Sequence, residues 1–205
     1  MGRLKQFFII IFFVYIAMYG CSSDEEKKVS HLKKGRAYFD KGEYKSALLE
    51  FKNAVQIDPE YIEAYINLGE TYLKSANPQE AFRAYSIVAT LDPDNIDAQL
   101  KLATFFLLGK NFNKAREKVD VVLNKEPDNI DALFLLTSIL DNEKNLYEAA
   151  SVFKKIIELD SRQARAYLGL ARVLERQGKF REAENNLKQA IDIDSKAINP
   201  HKLSF

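Results

Sequence analysis

Few groups in this chain could do covalent or metal chemistry. Cys21 is the only cysteine, so no disulfide can form within the chain. There are two histidines, His31 and His201, and no serine or cysteine has a base arranged around it in sequence as nucleophilic catalysis requires. Gly109-Lys110 is the closest approach to a phosphate-cradling loop, but it lacks the upstream glycine and the Ser/Thr that would complete one. Asp92, Asp94 and Asp97 crowd one stretch and could touch a calcium ion. Turns and helix starts select carboxylates for local reasons, however, and the cluster is read that way. No catalytic set, cofactor or metal site is expected, and the chain reads as non-enzymatic.

The chain does contain a period. Pro59, Pro93 and Pro127 lie 34 residues apart, and Ser161 and Ser195 continue the spacing. Ala47, Ala81, Ala115, Ala149 and Ala183 keep the same step, as do Gly35, Gly69, Ala103, Thr137 and Ala171. A fixed period of this length means stacked copies of one supersecondary unit. Within a unit, Tyr65, Leu68, Gly69 and Tyr72 share one helical face. The stretch from Ser75 to Pro78 ends that helix, and Asn77, Pro78 and Glu80 predict a capping box opening the next. Ala81, Tyr85 and Val88 then line an inner face until Asp92-Pro93 stops it. In this frame His31 falls in the column of Tyr65, Gln99, Leu133 and Tyr167, which predicts packing rather than ligation.

These residues resemble the tetratricopeptide repeat (TPR). The first unit carries Gly35, Tyr38, Gly42, Ala47, Phe51, Ala54 and Pro59; the last carries Tyr167, Leu170, Ala171, Gly178, Ala183, Leu187 and Ala190. Val119, Val122 and Leu140 depart from the family's usual residues but keep apolar volume. The resemblance implies an all-α, right-handed superhelical solenoid of five helix-turn-helix repeats, at 28–61, 62–95, 96–129, 130–163 and 164–197, with a tail at 198–205. It further implies a groove lined by each repeat's first helix. Its rows would be Leu32, Ile66, Leu100, Phe134 and Leu168; Arg36, Glu70, Thr104, Ser138 and Arg172; and Phe39, Leu73, Leu107, Asp141 and Glu175. An apolar row rimmed by polar groups suits an extended segment or amphipathic helix of a protein partner, while the same row could equally pack between repeats. The family's carboxylate clamp finds Asn67 and Lys101 in place, but Leu32, Arg36 and Asp97 stand where it needs other residues. The tail is short for the capping helix that usually closes such arrays, so the side of the last helix with Leu187, Ala190 and Ile191 is expected to be uncovered. Either the chain is a truncated member of a longer family, or it stacks on a partner or a second copy, or the helix is polar enough by itself, as Lys188, Gln189 and Asp192 favour in part.

The N-terminus reads differently. Arg3 and Lys5 precede an unbroken apolar run from Phe7 to Tyr19, which ends at Gly20-Cys21 and a polar stretch. As a helix the run would be roughly 20 Å long, short of a hydrocarbon core of about 30 Å, so it reads as a secretory signal. Ending at cysteine, it resembles a bacterial lipoprotein signal, with Met18 and Tyr19 departing from the usual residues there. The resemblance implies a signal peptide at 1–20, acylated Cys21 as a membrane anchor, a polar linker at 21–27, and a place in the cell envelope. Ser22 implies the periplasmic face of the outer membrane rather than the inner membrane. An uncleaved anchor is the alternative. Arg3 and Lys5 are the signal's only charges, so its removal takes the net charge from +1 to −1. With no basic block interleaved with aromatics, nucleic acid is not an expected partner. The whole reads as a membrane-tethered TPR scaffold for protein interaction in envelope assembly or export. It resembles the TPR lipoproteins found beside exosortase and exopolysaccharide systems. The alternatives are an accessory or truncated part of a larger enzyme system, or a pilotin-like pilus assembly factor.

Overall fold

The computed structural model describes residues 23–198. Its secondary structure is helical throughout: α1 (23–40), α2 (Tyr44–Ile57), α3 (Ile62–Lys74), α4 (Pro78–Leu91), α5 (Ile96–Leu108), α6 (Phe112–Lys125), α7 (Ile130–Asn142), α8 (Leu146–Leu159), α9 (Ala164–Arg176) and α10 (Phe180–Ile198). Taken in pairs, these are the five helical hairpins that the period predicts. The chain divides into two compact units between Ala98 and Gln99, inside α5.

Every first helix ends in the same way. Residues 42, 76, 110, 144 and 178, spaced 34 apart, all have positive φ, between 56° and 77°. The next amide donates to the carbonyl five residues back: Glu43 to Tyr38, Asn77 to Tyr72, Asn111 to Phe106, Asn145 to Leu140 and Lys179 to Leu174, at 2.7–2.9 Å. This closure satisfies carbonyls that the helix end leaves open, and it favours glycine at the left-handed position. Glycine occupies only two of the five places, Gly42 and Gly178; the others hold Ala76, Lys110 and Lys144. Gly109 sits one place too early to serve.

Second helices stop by a different device. The Asp58, Asp92 and Asp160 side chains each accept from the amide two residues on, at 3.0, 3.2 and 3.0 Å. Proline follows at 59 and 93. At Ser161 the Asp160 bond still closes the turn without it. At Ser195 nothing does, and α10 runs on to Ile198, so the last mark of the period is not a turn.

Helix starts correct one expectation. Asn111, Asn129 and Asn145 accept from the amides of Lys114, Ala132 and Glu148 as side-chain caps. Asn77, expected to do the same with Glu80, makes no cap bond. Its amide instead donates to the Ser75 carbonyl at the end of α3, at 2.9 Å. Pro78 does take the first position of α4.

Each unit has its own core. Leu32, Ala47, Phe51, Ala54, Ala64, Leu68 and Ala84 form the first. Leu133, Phe134, Leu140, Ile156, Leu170 and Leu174 dominate the second. Val119, Val122 and Leu140 are fully buried, as apolar replacements should be. The small column explains itself: a Cβ on Gly35 would stand 2.4 Å from the Phe51 ring, and one on Gly69 would stand 2.7 Å from that of Tyr85. A bare backbone is what lets the large ring of the second helix lie flat on the first.

Candidate partner-binding surface

In the first unit, the face carried by the first helices is knitted together by charge. The Arg36 guanidinium donates to Glu63 at 2.6 Å and to the Asn67 side-chain oxygen at 3.4 Å. Asn67 in turn donates to the Glu63 carbonyl at 2.6 Å. Arg36, expected to face a partner, therefore ties α1 to α3. Asn67, the one second-unit match to a carboxylate clamp, is engaged by the same network. Ile66 is half-buried beside it, and Leu73 is exposed one helical turn on from Glu70.

Leu32 corrects the groove expectation. It is 3% exposed and belongs to the core with Phe51 and Leu68. Phe134 is the second correction, at 6% exposed. The Arg165 guanidinium lies 4.4 Å above its ring, and Phe153 meets it edge-on at 6.5 Å. Both side chains pack between helices, which is the alternative the sequence left open for this row. Leu100 and Leu107 are half-buried, while Leu168 and Arg172 are exposed. Around them Asp141 is paired with Arg176, and the hydroxyls of Thr104 and Ser138 turn back to carbonyls of their own helices, at 2.9 and 3.2 Å.

His31 stands in the packing column but makes a polar contact: its Nδ1 lies 2.6 Å from Glu50 Oε2. Other inter-helix ties were not legible in sequence. Lys28 reaches Asp58 at 2.6 Å and also lies over the Tyr61 ring. Arg116 pairs with Glu143 at 2.8 Å, and Lys155 with Asp128 at 2.9 Å. The Lys28 ammonium holds the Asp58 carboxyl below the usual carboxylate range; burial opposes it, and the Glu60 amide adds a smaller lowering. Asp58, then Glu25, raises Lys28 above the usual lysine value. These partners are 27 to 30 residues apart, and only the stacking of hairpins brings them together. Among the described residues, no group of three or more His, Cys, Asp or Glu side chains is placed to hold a metal ion. Cys21 and His201 lie outside the described residues.

Three family models match in succession along the chain: one described as TPR repeat over residues 35–75, and two described as tetratricopeptide repeat over 73–140 and 141–196. The chain is a tetratricopeptide-repeat protein. Solved structures agree on the fold. MamA matches with a TM-score of 0.76 at 21% identity, covering 88% of this chain and 98% of that one. YrrB, described as a TPR protein with an unusual peptide-binding site, matches at 0.72 and 20% identity, covering 88% and 93%. PilF of Pseudomonas aeruginosa matches at 0.69 and 18% identity, covering 83% and 78%. A search of curated proteins finds no match. Membership in the family carries a coarse role, that of a scaffold for protein or peptide partners.

Proposed function

We propose that this TPR protein is a membrane-tethered scaffold in the cell envelope, lipid-anchored through Cys21 at the periplasmic face of the outer membrane. There it holds a peptide segment of an assembly or export partner against its first helices. The observation that carries the binding part is made in each unit by itself: in the first, Leu73 is exposed and Ile66 half-exposed near the Arg36–Glu63 pair, and in the second, Leu168 is exposed and Leu100 half-exposed, with Asp141 already paired to Arg176. Apolar surface of this kind is removed from water when a segment lies along it, and the fixed ion pairs supply a preformed polar rim. The tether is supported by the apolar run ending at Cys21 and by the need for more than one acyl chain to anchor stably.

In-cell photocrosslinking from position 66 should capture a discrete partner, and Leu73→Asp should abolish that capture with helix content intact. Capture unchanged by Leu73→Asp would overturn the binding surface. Palmitate labelling of the wild-type chain that persists in Cys21→Ala would overturn the anchor.

A further inference from the structure

The period exposes an asymmetry between the two ends of the array. In the fourth repeat, Leu146, Ala149, Ala150, Phe153 and Ile157 of α8 form one face, and α9 is packed onto it. Shifted by 34 residues, the same face in the fifth repeat is Phe180, Ala183, Glu184, Leu187 and Ile191 of α10. Ala183 is buried in the second core, and Ala190, expected to be open, is buried as well, but among the described residues no helix covers the rest of this face. Phe180 is 68% exposed, Leu187 43%, Ile191 66%, and Leu168 on the neighbouring α9 42%. Leu168, Arg172, Glu175, Phe180, Glu184 and Leu187 line a cleft of about 380 Å³ between the two helices.

The opposite end is built otherwise. Two columns of the first helices are buried or half-buried throughout: Ala64, Ala98, Ala132, Ala166 and Leu68, Leu102, Leu136, Leu170. In α1 the same columns hold Ser30 and Lys34, both exposed. Seating α1 of another copy on the open α9–α10 face would bury the Lys34 ammonium among Phe180 and Leu187, at the cost of its hydration. Head-to-tail growth is thereby disfavoured.

The open face itself carries both signs of charge around its apolar centre. Arg172 stands on one wall, Glu175 and Glu184 stand nearby, and Lys188 is bonded to Glu184 at 2.7 Å. Such a face is complementary to itself under a twofold rotation, which sets Arg172 of each copy against the acids of the other. We infer that α9 and α10 form a docking surface for a second copy of this chain, giving a twofold dimer. A helix of 19 residues is about 28 Å long and about 10 Å across. With the 13 residues of α9 beside it, the buried patch comes to at most roughly 500 Å² per copy, below the roughly 800 Å² of a standard stable interface. The dimer is therefore weak and concentration-dependent.

Sedimentation of the full chain in mild detergent tests this. The protein mass should rise from one copy to two with concentration and stop there. Leu187→Glu should weaken association at least tenfold with helix content unchanged, and Lys34→Glu should have no effect. A constant monomer mass, growth beyond two copies, loss of association in Lys34→Glu, or a dimer indifferent to Leu187→Glu would each overturn the inference. The last of these would place the contact elsewhere, such as the N-terminal apolar run.

Discussion

Ala76→Gly should make the protein more stable, although glycine placed inside a helix does the reverse. Ala76 is held at φ 57°, the left-handed turn that closes α3. An L-residue there costs about 1–2 kcal/mol relative to the right-handed region. Glycine avoids that cost but loses about 0.5–1 kcal/mol through its greater freedom in the unfolded chain. The net gain is about 0.5–1 kcal/mol. For a chain of this size, 1 kcal/mol moves the midpoint by about 2–4 °C, so Tm should rise by about 1–4 °C. The reverse changes, Gly42→Ala and Gly178→Ala, should lower it by a similar amount. Nothing lies within 4 Å of a Cβ built at either position, so that loss would be purely conformational. Lys110→Gly and Lys144→Gly carry the same gain, less a few tenths of a kcal/mol for removing a cation from a helix C-terminus. Denaturant titration followed by far-ultraviolet circular dichroism measures each difference. A loss of about 1 kcal/mol in Ala76→Gly, as in a helix interior, would refute the reasoning.

Other expectations rest on the packing. Gly69→Ala should cost about 1–3 kcal/mol by overpacking against the Tyr85 ring, and in a double-mutant cycle Tyr85→Leu should relieve part of that cost; strictly additive losses would show that the ring is not the obstacle. The Tyr85 hydroxyl is buried and meets no partner among the described residues, and burial raises its pKa. Tyr85→Phe should therefore be neutral or stabilising by up to about 1 kcal/mol, and a clear loss in thermal unfolding would reveal a hidden bond. Lys28→Met should cost about 1 kcal/mol near neutral pH, because the pair it removes is only partly shielded from water. The Asp58 contribution is complete above the unfolded carboxylate value of about 3.9 and vanishes as pH falls through its lowered folded value. The Lys28 contribution is complete below about 10.4 and is lost as pH rises through its raised folded value. The deficit should therefore shrink as pH falls below about 4; a deficit undiminished in acid would mean that packing, not charge, is responsible.

How much could be read in advance varied with the range of the interaction. The five hairpins, the inner alanine column and the Asp-Pro stops were legible because each depends on residues within one or two turns of helix. The Asn77 cap failed even at that range: its side-chain Nδ2 donates back to the Ser75 carbonyl, and its Oδ1 accepts from no amide of α4. The left-handed turns showed only in part: glycine marks two of the five, and Gly109 points to the wrong residue. The groove rows were the least legible. The pattern places Leu32, Ile66, Phe134 and Leu168 in one column, but it cannot say which of them a neighbouring helix covers.

The sequence by itself determined the repeat and, within it, the helices and most of their turns. Those follow from local spacing, which the chain carries wherever it folds. Only the tertiary structure decided that Arg36 reaches Glu63 and Asn67, that Arg165 roofs Phe134, and that Leu168, Phe180, Leu187 and Ile191 stand open among the described residues. Equivalent residues in a repeat share a pattern and differ in burial, because what covers each one is a neighbouring helix, which α8 has in α9 and which, among the described residues, the outer face of α10 lacks.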